Sequence, residues 1–543
     1  MNLLEFFSRE SDLPQGQIVS VAIISGLANG MLLALINSGA ENVLNKDVEI
    51  RIFLLYITAF ILYIYTQKYA LSQTSIALEV AICKVRVRIV NKIRLNELLF
   101  IENIGGYSEI YSKLTQDSNM ISQAVIFVVF AIQSVVVLLF SLFYIAWLSP
   151  IAFFICIIIL SLTIYWKITT NKLAIRALNI ANKKEMIFFN SLNHILEGFK
   201  EIKINRRKND DVFKQAKQIS TETEQFKIIA NIKFIDILIA AKVAFYILLP
   251  ILIFILPLYS VIPTDIIFKI TTATLFIIGP INLITMTEPM LARTNVALNS
   301  LYDLEAELDD ATNSQNDSFI TTPPDKFQHI KFSEVSFKYF DKNGGILFSI
   351  TPTNLNIKCG ELLFIVGGNG SGKSTLLKLL AGLYYPATGS VYIDDEKVDR
   401  TNYQSYRELF AIIFTDFHLF DKLYGLHDID EKHLKKLLKS VALDRKTKYV
   451  NGKFSHLELS TGQKKRLAFV SAVLEDKQIY IFDELAADQD PYFKKYFYEK
   501  ILLDLKQQGK TVIAVTHDDH YFHVADRVLK MEYGELIDYN GNI

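Results

Sequence analysis

The chain has 543 residues, 51% of them hydrophobic and only 21% charged, with 57 basic side chains balanced by 57 acidic ones. That composition is too apolar for an ordinary soluble protein, too neutral for a nucleic-acid partner, and too long for one domain. Cys83, Cys156 and Cys359 stand far apart, which excludes a thiolate metal site and predicts free thiols in a reducing compartment.

The first fifteen residues lack the basic start and small-residue cleavage site of a secretory signal, so the first apolar run is expected to be retained. Six runs are long enough to cross a hydrocarbon core as helices: Ile18–Ile36, Ile52–Tyr69, Ala124–Trp147, Ile151–Ile168, Phe234–Leu256 and Ile266–Thr285. Leu148-Ser149-Pro150 alone separates the third from the fourth, which predicts a tight hairpin. The long link after the second run carries Lys84, Arg86, Arg88, Lys92 and Arg94. The link after the fourth carries Lys183, Lys184, Lys200, Lys203, Arg206, Arg207 and Lys208. Loops on the opposite face offer only Lys46 and Arg51, so both termini are expected in the cytoplasm.

Ile195, Leu196, Phe199, Ile202 and Ile204 keep a helical spacing, which extends the helices about 30 Å beyond the membrane. Gly105-Gly106 and Gly198 are the expected turning points. Inside the fifth run, Lys242 is costly to bury and becomes the candidate for lining a substrate path, whereas Asp236 and Lys269 lie near span ends. Gly279-Pro280 is expected to interrupt helix hydrogen bonds in the sixth run and allow a bend lining a cavity. Leu298, Leu301, Leu304 and Leu308 then repeat at helical spacing, and Asp309–Asp325 has the polar composition of a linker. The expected organisation is a membrane domain over 1–302, a linker over 303–325 and a second domain over 326–543.

The second domain opens with a strand-like alternation over Ile330–Tyr339, and Tyr339 is placed to stack on a nucleotide base. The buried-strand run Leu362–Val366 leads into Gly367, Gly368, Asn369, Gly370, Ser371, Gly372, Lys373, Ser374 and Thr375, and a helix-forming run comes next. Strand, glycine loop and helix together make a phosphate cradle. Its N–H groups point at the β-phosphate, Lys373 reaches the β- and γ-phosphates, and the Ser374 hydroxyl ligates Mg²⁺. ATP with Mg²⁺ is therefore the expected ligand pair.

Leu459-Ser460-Thr461-Gly462-Gln463 opens another helix, where Ser460 can cap and Gly462 can let backbone approach an anion. Ile479–Phe482 is a buried strand ending in Asp483, a candidate Mg²⁺ ligand, and Glu484, placed to polarise an attacking water. Thr511–Thr516 is a further strand with His517 at its end, within reach of a γ-phosphate. Glu484 and His517 are the candidate catalytic residues.

Order and spacing of these motifs resemble an ATP-binding cassette, and with six spans ahead of them nearly the whole chain resembles an ABC exporter half-transporter. The resemblance implies a fold of six transmembrane helices followed by an α/β P-loop domain, and an ATP hydrolase coupled to transport across a bacterial cytoplasmic (inner) membrane. It also implies a homodimer with two cassettes head to tail, in which Ser460, Gly462 and Gln463 act on the partner's nucleotide. Ala487-Asp488-Gln489-Asp490 would form the D-loop.

Phe482–Pro491, Phe414–Phe420 and Gly462–Ala468 are similar to the cyclic-peptide and peptide-siderophore exporter branch. That points to export of a small cyclic or modified peptide of siderophore or bacteriocin type, with a lipid or multidrug exporter as the alternative. Two departures stand out: Thr415 or Asp416 occupies the place of the Q-loop glutamine, and Thr461 replaces the first signature glycine.

Overall fold

The computed structural model describes residues 3–11, 15–44, 49–103, 107–259, 263–312, 327–341 and 344–539. They form two compact units, Met1–Arg94 with Gly105–Leu308, and Leu95–Ile104 with Asp309–Ile543.

The first unit is helical. A short α1 (Leu3–Glu10) precedes α2 (Gln15–Leu44) and α3 (Ile50–Leu95). The six-residue α4 (Leu98–Asn103) belongs to the second unit. Then come α5 (Ser118–Leu148), α6 (Pro150–Glu197), α7 (Arg206–Pro250) and α8 (Thr264–Thr312). Among the described residues six helical stretches are long and apolar enough to cross a membrane: Gly16–Asn42, Ile50–Leu95, Ile110–Leu148, Pro150–Glu197, Arg206–Tyr259 and Thr264–Ala311. Each contains one of the apolar runs read from the sequence.

Local chemistry explains the breaks. Ser149 is extended, its side chain accepts from the Ala152 amide at 3.4 Å, and Pro150 starts α6 where its missing N–H costs nothing. Gly198 ends α6 as expected, and Asn205 caps α7 by accepting from the Lys208 amide at 3.1 Å. The expected turn at Gly105-Gly106 lies outside the described residues. Pro250 is followed by one π-helical turn, Ile251–Ile255. In contrast, α8 runs unbroken through Gly279-Pro280 and on to Thr312, into the stretch read as linker. The stripe of Leu298, Leu301, Leu304 and Leu308 stays buried and carries the helix there.

Helices in lipid gain nothing from excluding water and must pack closely instead. Gly26 and Gly30, one turn apart on α2, provide that against α5. A Cβ on Gly26 would lie 2.8 Å from Val136 Cβ, and one on Gly30 would lie 2.6 Å from Phe140 Cδ1. Gln133 Nε2 donates to Ser25 Oγ at 3.1 Å within the same buried seam. Beyond the apolar runs, α6 packs on α7 through small residues, with Ala177 and Ala230 in one buried cluster. Lys184–Glu222 and Lys227–Glu185 (2.7 Å) bridge these two helices beyond the apolar segment.

One charged network binds three elements of this unit. Arg88 on α3 donates to both oxygens of Glu10 on α1 at 2.8 Å each, and to Glu305 on α8 at 2.6 and 3.0 Å. Lys92 adds a bond to Glu305 at 2.6 Å and the Tyr302 hydroxyl one to Glu10 at 2.9 Å.

The second unit is a cassette of two main sheets. An antiparallel sheet has the order β2 (Ile346–Lys358), β1 (His329–Phe340), β4 (Thr388–Ile393), β5 (Glu396–Val398). The other sheet has the order β12 (Glu535–Asp538), β11 (Arg527–Glu532), β3 (Leu362–Gly367), β10 (Thr511–Val515), β9 (Ile479–Asp483), β6 (Phe410–Ile413), parallel except for β12. A small hairpin, β7 (Tyr449–Val450) with β8 (Lys453–Phe454), stands apart. Leu362, Phe364 and Val366 face one core with Tyr480 and Phe482, while Leu363 and Ile365 face another with Ile479, Ile481 and Ile513. Burial on both faces is why these strands read as unbroken apolar runs. Two helices adjoin these strands in sequence, α9 (Lys373–Leu380) after β3 and α10 (Thr461–Leu474) before β9.

Glu10 and Glu305 are 5% and 6% exposed at their side chains. Replacing Arg88 with Met would leave Glu305 with Lys92 and Glu10 with the Tyr302 hydroxyl, and remove the cation they share. The variant is expected to lose about 3 kcal/mol, at the low end for a broken buried pair because Arg88 is itself partly open to solvent. A thermal-unfolding midpoint in detergent should fall, and should recover when Glu10→Gln and Glu305→Gln are added.

Candidate functional site

Three adjacent parallel strands deliver the chemistry. Val515 of β10 is in register with Ile365 of β3 and with Asp483 of β9, so the carboxyl ends of β3, β10 and β9 stand side by side. Residues 367–372, His517 and the Asp483-Glu484 pair are thereby gathered at one sheet edge, where ligands bind in parallel α/β folds.

The loop after β3 needs its glycines for space. Gly367 sits at φ +150 with Met531 O 2.3 Å from where a Cβ would be, and Gly372 at φ +108 with Phe348 Cζ at 2.7 Å. Gly368, Asn369 and Gly370 are exposed at the crest. Ser371 is buried, and its Oγ has no hydrogen-bond partner. Lys373, also buried, donates from Nζ to Gly367 O at 3.0 Å and Gly368 O at 2.9 Å. Burial draws its ammonium below the usual lysine range, against the pull of Glu484 and Asp483.

Ser374 Oγ donates to Asp483 Oδ2 at 2.9 Å, joining the two candidate metal ligands. Asp483 is 2% exposed, and burial lifts its carboxyl above the usual range, while bonds from Ser374 and Thr415 oppose the rise. Thr415, at the place of the glutamine, is a neighbour that favours the charged form of that carboxylate, and Thr415 and Asp416 are both exposed. The residue at the glutamine position that meets the site is therefore Thr415. A buried carboxylate beside a serine hydroxyl is a hard-oxygen set suited to Mg²⁺, and the Ser371 hydroxyl and Lys373 ammonium suit a polyphosphate.

Glu484 has the left-handed φ of +53, its amide donates to Val515 O at 3.2 Å, and its Oε1 lies 3.0 Å from His517 Nε2. His517 is held by its neighbours: the Thr516 hydroxyl bonds Tyr498 OH at 2.6 Å and accepts from the Asp518 amide at 3.0 Å. Tyr339 packs edge-on against Phe337 and Tyr384, its ring 5.0 and 5.9 Å from theirs.

Tyr384 is a junction that the sequence did not reveal. Its hydroxyl meets Tyr339 OH at 3.1 Å, Lys378 Nζ at 3.1 Å and the Glu102 carboxylate of α4. Lys378 on α9 also pairs with Glu102 at 2.9 Å, and Leu98 and Leu99 pack on the cassette core beside it. The base-stacking candidate, the helix behind the phosphate loop and α4 thus share one hydrogen-bonded hub.

Ser460 accepts from the Gln463 amide at 3.4 Å, and Gln463 Oε1 accepts from the Ser460 amide at 3.2 Å, a capping box that leaves Ser460 and Thr461 exposed.

A second candidate site lies in the helical unit. A cavity of about 580 Å³ between α6, α7 and α8 is walled by residues such as Ile164, Ile237, Phe245 and Ile281. Polar groups gather at one end: Lys167 paired with Glu288 at 3.2 Å, Lys172, and Asn171, whose Oδ1 is buried without a partner. Ala241, Ala244 and Phe245 of α7 face this cavity, while Lys242 lies on the exposed side. Asp236 and Lys269 are paired, with Lys233 at 2.9 Å and Glu41 at 2.7 Å.

Residues 350–487 match the family model described as ABC transporter. The ATP-binding protein SyrD of Pseudomonas syringae pv. syringae is 33% identical over 450 residues, which cover 80% of this chain and 78% of that relative. An ATP-dependent lipid A-core flippase of Ralstonia nicotianae is 27% identical over 224 residues, 38% of this chain and 37% of the relative. A solved bacterial Atm1-family ABC exporter with ATP bound has the same fold, at a TM-score of 0.75 and 15% identity over 96% of this chain and 93% of that one.

The geometry makes two outcomes testable. Lys373→Ala is expected to abolish binding of a fluorescent ATP analogue, whereas Glu484→Gln should keep binding and slow phosphate release about a hundredfold or more. Glu102→Gln and Tyr384→Phe should each weaken ATP binding a few-fold and combine non-additively, because they disable the same hub.

Proposed function

Since the chain belongs to the ABC transporter family, as a half-transporter of the exporter architecture, we propose that it uses ATP hydrolysis to export a small cyclic or modified peptide. The observation that carries the hydrolytic half is the convergence of Lys373, Ser374, Asp483, Glu484 and His517 on the carboxyl ends of β3, β9 and β10. The cavity between α6, α7 and α8 supports the cargo half. Its volume and its apolar wall with a few polar groups at one end suit a compact amphipathic molecule. The likeness of Phe482–Pro491, Phe414–Phe420 and Gly462–Ala468 to the cyclic-peptide and peptide-siderophore exporter branch favours peptide cargo over lipid.

In this reading the Lys373 ammonium leaves the carbonyls of Gly367 and Gly368 for phosphate oxygens, and the loop amides hold the rest of the phosphate chain. Mg²⁺ held by Ser374 and Asp483 would neutralise charge on the transferring group. Glu484 accepts a hydrogen bond from the attacking water and aims it, and His517, 3.0 Å from that carboxylate, steadies both. Tyr339 stacks on the base. Two copies pair head to tail, and the exposed Ser460 with the amides after it completes the partner's site. The termini and cassettes lie in the cytoplasm, on the side of the lysine-rich links. Lys242, on the exposed face of α7, would meet cargo where two copies enclose a path.

Mass spectrometry of medium and cell extract from wild-type and Glu484→Gln strains tests the reading. A peptide lost from the medium and retained in cells is the expected result. Unchanged peptides with an altered lipid extract would move the assignment to lipid export.

A further inference from the structure

Burying a lysine side chain is expensive, and Lys465 on α10 is buried to 4% exposure. Its ammonium has two partners, both on the segment after β9. Nζ donates to the backbone carbonyl of Glu484 at 2.9 Å and pairs with the carboxylate of Asp488 at 2.7 Å.

The neighbouring contacts repeat the pattern. Gln489 donates to Gly462 O at 2.9 Å, and Arg466 donates to Gln489 Oε1 at 2.8 Å and to Asp490 at 2.6 Å while lying 4.0 Å from the centre of the Phe493 ring. A Cβ at Gly462 would come within 2.7 Å of Asp488 O, so glycine is required for the helix to approach this closely.

Glu484 is the residue most in need of such support. Its left-handed backbone is unfavourable for a side chain with a Cβ and persists only where surroundings enforce it. The Val515 carbonyl holds its amide at 3.2 Å, and Lys465 holds its carbonyl. With both ends of the residue fixed, the carboxylate points at His517 rather than swinging with the loop.

We propose that Lys465 is a positioning residue for hydrolysis: it clamps the backbone of Glu484 in its own chain, and Asp488 holds its ammonium in place. The proposal rests on Glu484 acting on the attacking water. Lys465 does not touch nucleotide; it acts through Glu484.

Steady-state ATP hydrolysis by the full-length protein in lipid nanodiscs decides it. Lys465→Met should lower kcat about tenfold while KM for ATP moves less than about twofold. Lys465→Gln should regain part of the loss, because its amide can still donate to the Glu484 carbonyl. Asp488→Asn should lower kcat less, again at constant KM. An unchanged kcat in Lys465→Met overturns the proposal, as does a parallel loss of kcat, ATP affinity and thermal midpoint. If Lys465→Met does not fold, Asp488→Asn decides on the same terms, and unchanged kcat there overturns it. A low kcat in Glu484→Gln together with a normal one in Lys465→Met would remove the clamp and leave the hydrolytic assignment standing.

Discussion

Almost no water reaches the carboxylate of Asp483, and the cassette is arranged around that fact. An acidic group so placed would cost several kcal/mol unless partners compensate. The parallel sheet supplies them by topology rather than by proximity in sequence. Ser374 arrives from the start of α9, and Thr415 from the segment after β6, the strand beside β9. Because β3, β10 and β9 are neighbours, the phosphate loop and His517 arrive at the same edge. Groups that are desolvated and oriented before the nucleotide binds need little reorganisation when charge develops, which is where such sites gain most of their rate.

The helical unit faces the opposite problem. Lipid offers its helices no hydrophobic drive to associate, so contact depends on small residues and on polar bonds at a few places. Gly26 and Gly30 on α2 meet the first need. Gln133, bonded to Ser25 in the same seam, meets the second, and outside the apolar runs Arg88 grips Glu10 and Glu305 where α1, α3 and α8 converge. Lys184–Glu222 and Lys227–Glu185 repeat the device on α6 and α7.

Elements with strong periodicity or a fixed local motif were legible from the sequence: the six apolar helices, the Ser149-Pro150 hairpin, the turn at Gly198, and the strand–loop–helix around Lys373. Long-range partnerships were not. Nothing near Tyr384 announces that it joins Tyr339, Lys378 and Glu102, because those residues meet only through the fold. Nor does anything near Thr415 announce Asp483 as its neighbour, since β6 and β9 come together only in the sheet. Gly279-Pro280 lies inside α8, which stays helical through it while Ile277 and Ile281 beside it line the cavity. The stripe from Leu298 to Leu308 likewise kept α8 helical into a stretch whose composition alone reads as linker.

The segment from Ser460 to Arg466 carries two demands at once. Its outward side is a capped helix start with exposed Ser460 and Thr461, which suits an anion on another molecule. The inward side is stitched to residues 484–490 of its own chain by Lys465, Arg466 and Gln489. Gly462 sits at the junction, and its missing Cβ is already required by Asp488 O within the chain, before any phosphate is considered. A short helical turn, bound along its inner side, therefore links exposed Ser460 and Thr461 with the backbone of Glu484. Side-chain bonds span the whole interval, which stiffens it. In a head-to-tail pair, that stiffness would make the geometry of each carboxylate depend on how closely its own chain's Ser460 approaches the nucleotide of the other.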